Sequence, residues 1–198
     1  MPEFICANGA RNSMIASFKL PFHFDAPAMQ ADAAAFGRDE WTPHFNRHYY
    51  EGDWSGIALR AAADAHVELY PDPTATAYRD TAQLARCAYI PAVLRSFECE
   101  LESARFLRLG AGAEIREHRD YKLSIDDGVA RVHIPVITNP DVEFFLDGER
   151  IDMHAGEAWY LNFNLHHRVR NNSTTDRVHL VIDCIVNDWF RGLLPPSP

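Results

Sequence analysis

Arg177-Val178-His179-Leu180-Val181-Ile182-Asp183-Cys184 decides the fold class of this chain. Side chains alternate sides along an extended strand. Arg177, His179, Val181 and Asp183 therefore share one face, and Val178, Leu180, Ile182 and Cys184 share the other. Arg131-Val132-His133-Ile134-Pro135-Val136 repeats the pattern, with Arg131, His133 and Pro135 opposite Val132, Ile134 and Val136. Each segment thus sets an Arg-x-His against an apolar row. The apolar rows predict a core. Polar rows on strands this apolar predict a polar pocket inside a barrel.

Outward from these two segments the period stays at two. Further strands are expected at Ala104–Leu109, Val142–Leu146, Ala158–Phe163 and Arg168–Asn171. Turn signals separate them at Gly110-Ala-Gly112, Asp126-Asp-Gly128, Asn139-Pro-Asp141 and Asn171-Asn-Ser173. Asp147-Gly148, between Phe144–Leu146 and Arg150–Met153, is a hairpin signal. Closely spaced short strands predict a small antiparallel jelly roll. Upstream of residue 100 the pattern changes. Ala26–Phe36 has apolar residues at helical spacing, Ser55–Ala63 and Tyr78–Cys87 read as weaker helices, and Pro91 opens a short helix to Phe97. The expected organisation is one domain over residues 14–198. A helical and loop part (14–100) would pack on a β core (101–190), and residues 1–13 are set apart as a vector-derived or alternative start.

The 198 residues suffice for one sizeable core, and 47% hydrophobic with 24% charged is an ordinary globular composition. A net charge of −9 argues against a nucleic-acid partner, which needs a basic face. No apolar run approaches the ~20 residues that span a bilayer, and no charged n-region followed by an apolar h-region opens the chain, so a secretory signal is not expected. The four cysteines form no CxxC pair, so free thiols in a reducing cytoplasm are expected. Oligomeric state leaves no mark on the sequence.

His118-Arg119-Asp120, followed by His167 and Arg177, carries the chemistry. Residues two apart on an extended segment point the same way, so His118 and Asp120 reach one metal together. A second histidine from another strand completes a 2-His-1-carboxylate set, which suits Fe(II) and leaves positions open. A 2-oxo acid would take two of these and O₂ the third. Arg177 offers a planar two-pronged donor for the far carboxylate of 2-oxoglutarate. His166 adjoins His167 on the opposite face, and spacing does not choose between them. Singly, His133, His154 and His179 read as structural or surface histidines, and Arg105, Arg108 and Arg131 as strand-surface charges.

Several stretches together resemble the aspartyl/asparaginyl β-hydroxylase family of Fe(II)/2-oxoglutarate oxygenases. They are Arg105–Ile115, His118-Arg-Asp120, Arg131-Val-His-Ile-Pro135, Thr138-Asn-Pro140, Phe145-Leu-Asp-Gly148, Gly156-Glu-Ala-Trp-Tyr160, His167-Arg-Val-Arg-Asn171 and Arg177–Asp183. Trp41-Thr-Pro-His44 and Tyr50-Glu-Gly-Asp-Trp54 resemble its substrate-side segment. The resemblance implies a mainly β, cupin-like double-stranded β-helix with N-terminal helices packed on it. It implies iron on His118, Asp120 and His167, choosing His167 over His166. It also implies that Arg177 binds 2-oxoglutarate with Arg131 and His133 as helpers. Animal members carry glycine at the position of Asp120, so the resemblance is to the bacterial branch, which includes enzymes acting on free amino acids, proline among them.

The activity expected is hydroxylation of a C–H bond by an iron-dependent dioxygenase that releases succinate and CO₂. Its substrate would be an amino acid or an Asp/Asn-type residue in a peptide. His44, Asn46, Tyr50, Trp54 and Arg60 form a polar-aromatic segment expected to contact it, with Arg60 on a carboxylate. Two alternatives stand beside this reading: a non-oxidative cupin-type metalloenzyme, and a metal-binding module without catalysis.

Overall fold

The computed structural model describes residues 14–69 and 74–195, so the expectation for residues 1–13 lies outside the described residues. In chain order the strands are β1 (Ser17–His23), β2 (Thr42–Pro43), β3 (Tyr50–Glu51), β4 (Trp54–Ala62), β5 (Tyr78–Asp80), β6 (Leu101–Leu109) and β7 (Glu114–His118). There follow β8 (Val129–Ile137), β9 (Val142–Leu146), β10 (Glu149–Arg150), β11 (Glu157–Leu161), β12 (His167–Asn171) and β13 (Arg177–Ile185). Three α-helices, α1 (Ala26–Ala34), α2 (Ile90–Arg95) and α3 (Asp188–Gly192), accompany them among the described residues.

The strands form two antiparallel sheets. The larger runs β1-β11-β8-β13-β6-β4-β2 with β5 beside β4, and the smaller runs β10-β9-β12-β7-β3. β13 lies between β8 and β6, so both Arg-x-His segments are neighbours, with Val181 opposite His133 and Asp183 opposite Arg131. The apolar rows (Val178, Leu180, Ile182, Val132, Ile134, Val136) bury one face of the large sheet under Met29 of α1, Val93 and Leu94 of α2 and Phe190 of α3. The polar rows face the small sheet. A second apolar cluster (Leu109, Ile115, Phe144, Phe163 and Val169 among its members) packs around that side. This is the mainly β jelly roll, with helices on one face, that the alternation predicts.

Helix ends are fixed by specific groups. Asp25 caps α1 by accepting from the Ala28 N–H at 3.0 Å. The buried carboxylate of Asp32 accepts from the N–H groups of Ala88, Tyr89 and Ile90 at 2.7–2.8 Å, which ties α1 to the start of α2. At the β9–β10 hairpin, Asp147 (φ 51°) and Gly148 (φ 83°) both occupy the left-handed region, as a primed two-residue turn requires.

Two helix expectations are corrected. Ser55–Ala63 is strand β4, hydrogen-bonded to β6. It is buried along almost its whole length, so its apolar positions do not alternate, and small residues mimic a helix. Gly56 is required there, because a Cβ would meet the Phe106 carbonyl oxygen at 2.9 Å. Tyr78–Cys87 is strand β5 followed by one 3₁₀ turn at Leu84–Arg86. The division at residue 100 is likewise not a division of the sheets, since β1 and β4 both join the large one.

Candidate active site

β7 and β12 pair antiparallel with His118 directly opposite His167, and their rings lie 4.2 Å apart between centroids. Asp120 follows in the loop after β7, held by its N–H on the Phe163 carbonyl at 2.9 Å. One ligand atom from each of His118, Asp120 and His167 lies within 4.8 Å of the others.

The tautomers are fixed from behind. His118 Nδ1 meets the Arg116 carbonyl at 2.8 Å, and His167 Nδ1 meets the Leu165 carbonyl at 3.1 Å. A carbonyl only accepts, so each Nδ1 carries a proton and Nε2 is the nitrogen each ring has for a metal. A backbone carbonyl on the far nitrogen is what orients metal-binding histidines generally. Burial, with His118 adjacent, lowers the His167 pKa to about 4 and keeps the ring neutral. His166 points outward, 3.5 Å from the exposed Glu117.

Asp120 is held by Arg131, whose Nη1 donates to Oδ2 at 2.8 Å, and its Oδ1 lies 4.0 Å from His118 Nε2. The rest of the Arg131 guanidinium forks onto Asp183, with Nε on Oδ1 at 2.7 Å and Nη2 on Oδ2 at 3.0 Å. Arg105 Nη2 reaches the same Oδ2 at 3.1 Å, and the Ser103 hydroxyl donates to it at 2.8 Å. Burial pushes the Asp183 carboxyl up, but Arg105 and Arg131 outweigh it and hold the group well below the usual carboxylate range.

Arg177 is different. It is 2% exposed and has no carboxylate partner among the described residues. Its Nη2 donates to His179 Nδ1 at 2.8 Å, and its Nε has no hydrogen-bond partner. Desolvation lowers its pKa from 12.5 to about 9. His179 Nδ1 must accept from Arg177, so the 3.3 Å contact between the two Nδ1 atoms makes His133 the donor. Burial, with Arg177 adjacent, keeps both rings neutral. Asn171, fully buried, ties the carbonyls of Leu109, Gly110 and Thr175 together and so sets the start of β13 where Arg177 sits.

These groups line one cavity of about 340 Å³. It receives His118, Asp120, His167, Arg177, Arg131 and His133, together with His44, Asn46 and Trp54 from the upstream segment. His44 stacks on Trp54 at 3.6 Å, and desolvation together with Arg105 lowers its pKa to about 4. Tyr50 stands behind, its hydroxyl donating to the His44 carbonyl at 3.1 Å. Arg60 is not at the cavity. It donates to the Leu101 carbonyl at 2.8 Å and to Asp80 at 2.7 Å, because its strand position faces β5. Arg105 is the cavity arginine that sequence reasoning missed. Its alternation with Ser103 and Leu107, away from core residues Ala104 and Phe106, carries the signal. Tyr49, stacked on His118 at 4.7 Å, was also missed, and nothing in the spacing marks it.

The sequence matches the family described as Aspartyl/Asparaginyl beta-hydroxylase over residues 24–186. The chain belongs to that family. Within it, 88 residues are 33% identical to the L-proline cis-4-hydroxylase of Rhizobium meliloti (strain 1021), covering 44% of this chain and only 31% of that enzyme. Two solved structures share the family member's fold. A Pseudomonas putida prolyl-4-hydroxylase superposes with TM-score 0.56 at 15% identity, over 86% of this chain and 93% of the other. An oxidoreductase of the 2OG-Fe(II) oxygenase family from Burkholderia pseudomallei gives 0.55 at 16%, over 92% and 94%. No helix among the described residues is long and apolar enough to cross a membrane.

Proposed function

We propose that this protein is an Fe(II)- and 2-oxoglutarate-dependent hydroxylase of a carboxylate-bearing amino acid. One observation carries the reading. Two histidines presenting Nε2, and a carboxylate beside them, share a cavity with a buried guanidinium that meets no carboxylate among the described residues. A neutral-imidazole and carboxylate set fits Fe(II). A buried cation is tolerable only if an anion meets it, and 2-oxoglutarate brings a carboxylate. A non-oxidative metalloenzyme would have no use for that second group.

His118, Asp120 and His167 hold the metal, and Arg177 binds the distal carboxylate of the co-substrate. When bound, iron and 2-oxoglutarate supply O₂ activation: one oxygen atom enters the substrate C–H bond, the other enters succinate, and CO₂ leaves. The chain's own residues place and enclose. Arg131 occupies one oxygen of Asp120 and thereby aims the other. His133 and His179, kept neutral, hold Arg177 without competing for the anion. Phe144, Phe163 and Val169 wall the cavity against water. Arg105 and His44 line the same cavity, and the Arg105 cation suits the substrate carboxylate. Three guanidinium groups (Arg105, Arg131, Arg177) and one carboxylate (Asp120) line the cavity, and the buried Asp183 pairs with Arg105 and Arg131, so the cavity has room for more negative charge. The proline-hydroxylating relative supports a free amino acid over a peptide residue.

The test is anaerobic addition of Fe(II) and then 2-oxoglutarate to the apo protein. A weak visible charge-transfer band is expected, lost in His167→Ala and kept in His166→Ala. Bound metal without a band would sink the co-substrate assignment.

A further inference from the structure

We propose that Asp183 is a positioning residue that keeps the iron ligand Asp120 available to metal by neutralising Arg131. The inference rests on the proposed metal site and deepens it. Asp183 touches neither cavity ligand directly. It is 1% exposed on β13, and its two oxygens take four donors: Arg131 Nε on Oδ1, and Arg131 Nη2, Arg105 Nη2 and Ser103 Oγ on Oδ2. Arg131 is the bridge. Two of its nitrogens are spent on Asp183, and the third donates to Asp120.

The division of Arg131 between two carboxylates has a chemical consequence. A guanidinium bound by Asp120 alone would draw that carboxylate into a full ion pair and compete with the metal for it. With Asp183 forked onto it, Arg131 already has its counter-charge. It then donates a single hydrogen bond to Asp120, which occupies Oδ2 and leaves Oδ1 toward His118. Arg105 is tied to the same Asp183 oxygen. Loss of Asp183 should therefore act with opposite sign at the two ends of the network. The metal should bind more weakly, because Arg131 now holds Asp120. A carboxylate at Arg105 should bind more tightly, because Arg105 loses its internal partner. A residue that merely supported the fold would weaken both.

The experiment uses Mn(II) as the probe, with free Mn(II) read by its electron paramagnetic resonance signal on the full-length apo protein. Asp183→Asn should weaken Mn(II) by about tenfold to a hundredfold, the usual range for loss of an outer-shell partner. The decisive variant is Arg131→Gln combined with Asp183→Asn. If Asp183 acts through Arg131, adding Asp183→Asn to Arg131→Gln produces no further loss, whereas a direct field effect of the lost charge persists in that background. The double variant also removes one charge of each sign, so it remains testable should Asp183→Asn alone not fold. Unchanged Mn(II) affinity in Asp183→Asn, or additive losses in the pair, overturns the proposal. No Mn(II) binding by the wild-type protein sinks the metal site itself, and the positioning role with it, and is told apart from the other failures by the unsubstituted protein alone.

Discussion

Replacing Arg177 by methionine should make the metal-free protein more stable and the co-substrate unable to bind. Arginine keeps its proton in proteins, so the fall in its pKa from 12.5 to about 9 reads as the cost of holding a charge inside the fold. At about 1.4 kcal/mol per unit, that cost is on the order of 5 kcal/mol. The sign is clear: the folded state disfavours the charged form, so the cost is fully present below pH 9 and declines only above it. Against it stands the 2.8 Å bond to His179, a charge-assisted contact contributing roughly 1.5–3 kcal/mol. Methionine removes both terms and fills much of the same volume. The net gain is about 2–3.5 kcal/mol, which for a chain of this size raises Tm by roughly 4–14 °C. Affinity for 2-oxoglutarate should fall on the order of a hundredfold or more, since truncating one member of a buried charge pair costs about 2–5 kcal/mol. Thermal unfolding of the apo protein, with and without 2-oxoglutarate and Mn(II), reads both effects. A variant less stable than wild type that still gains stability from 2-oxoglutarate would show that Arg177 belongs to the fold and not to the ligand.

Other outcomes follow from the same contacts. Asp32→Ala strands three backbone donors at the start of α2 and should cost about 3 kcal/mol by urea denaturation; a loss under 1 kcal/mol would mean that water replaces the carboxylate there. Glu157 is buried, which alone would raise its pKa, yet the His154 N–H, Lys19 and Trp159 lower it to about 2. Its contribution is therefore whole above pH 4.5 and lost as pH falls from 4.5 towards 2, so Glu157→Gln should flatten the acid limb of the stability profile, and an unchanged limb counts against the pairing. Arg60→Ala should leave the substrate KM within about twofold, whereas Arg105→Ala should raise it at least about tenfold, as expected for a buried charge-assisted contact; the reverse ranking would restore Arg60 as the anchor.

Much of this was legible because β8 and β13 carry two chemistries on two faces, and a period of two exposes both. The cluster of His118, Asp120 and His167 was legible because His118 and Asp120 are close in sequence and the family resemblance chose His167 over His166. β4 was not legible: a strand buried on both faces shows no alternation, and its alanines and glycine speak for packing only once Leu107 and Phe106 lie against them. Arg60 and Arg105 look alike in a string of letters. What separates them is the neighbour each strand position meets, Asp80 on β5 for one and the cavity for the other. Arg131 lines the cavity, but its partners, Asp120 and Asp183, come from 11 and 52 residues away, a distance at which spacing carries no information.

β13 sits in the middle of the large sheet, yet it is the last of the described strands in chain order. Until it emerges, β8 and β6 have no partner between them, and their inner edges present unpaired N–H and C=O groups. Without β13 the chain also lacks Arg177, His179 and Asp183. Sheet closure and assembly of the cavity are thus one event, completed only when β13 takes its place between β8 and β6. A chain stopped before residue 177 has every candidate metal ligand and Arg131, but lacks Asp183, the carboxylate that divides Arg131 between two partners.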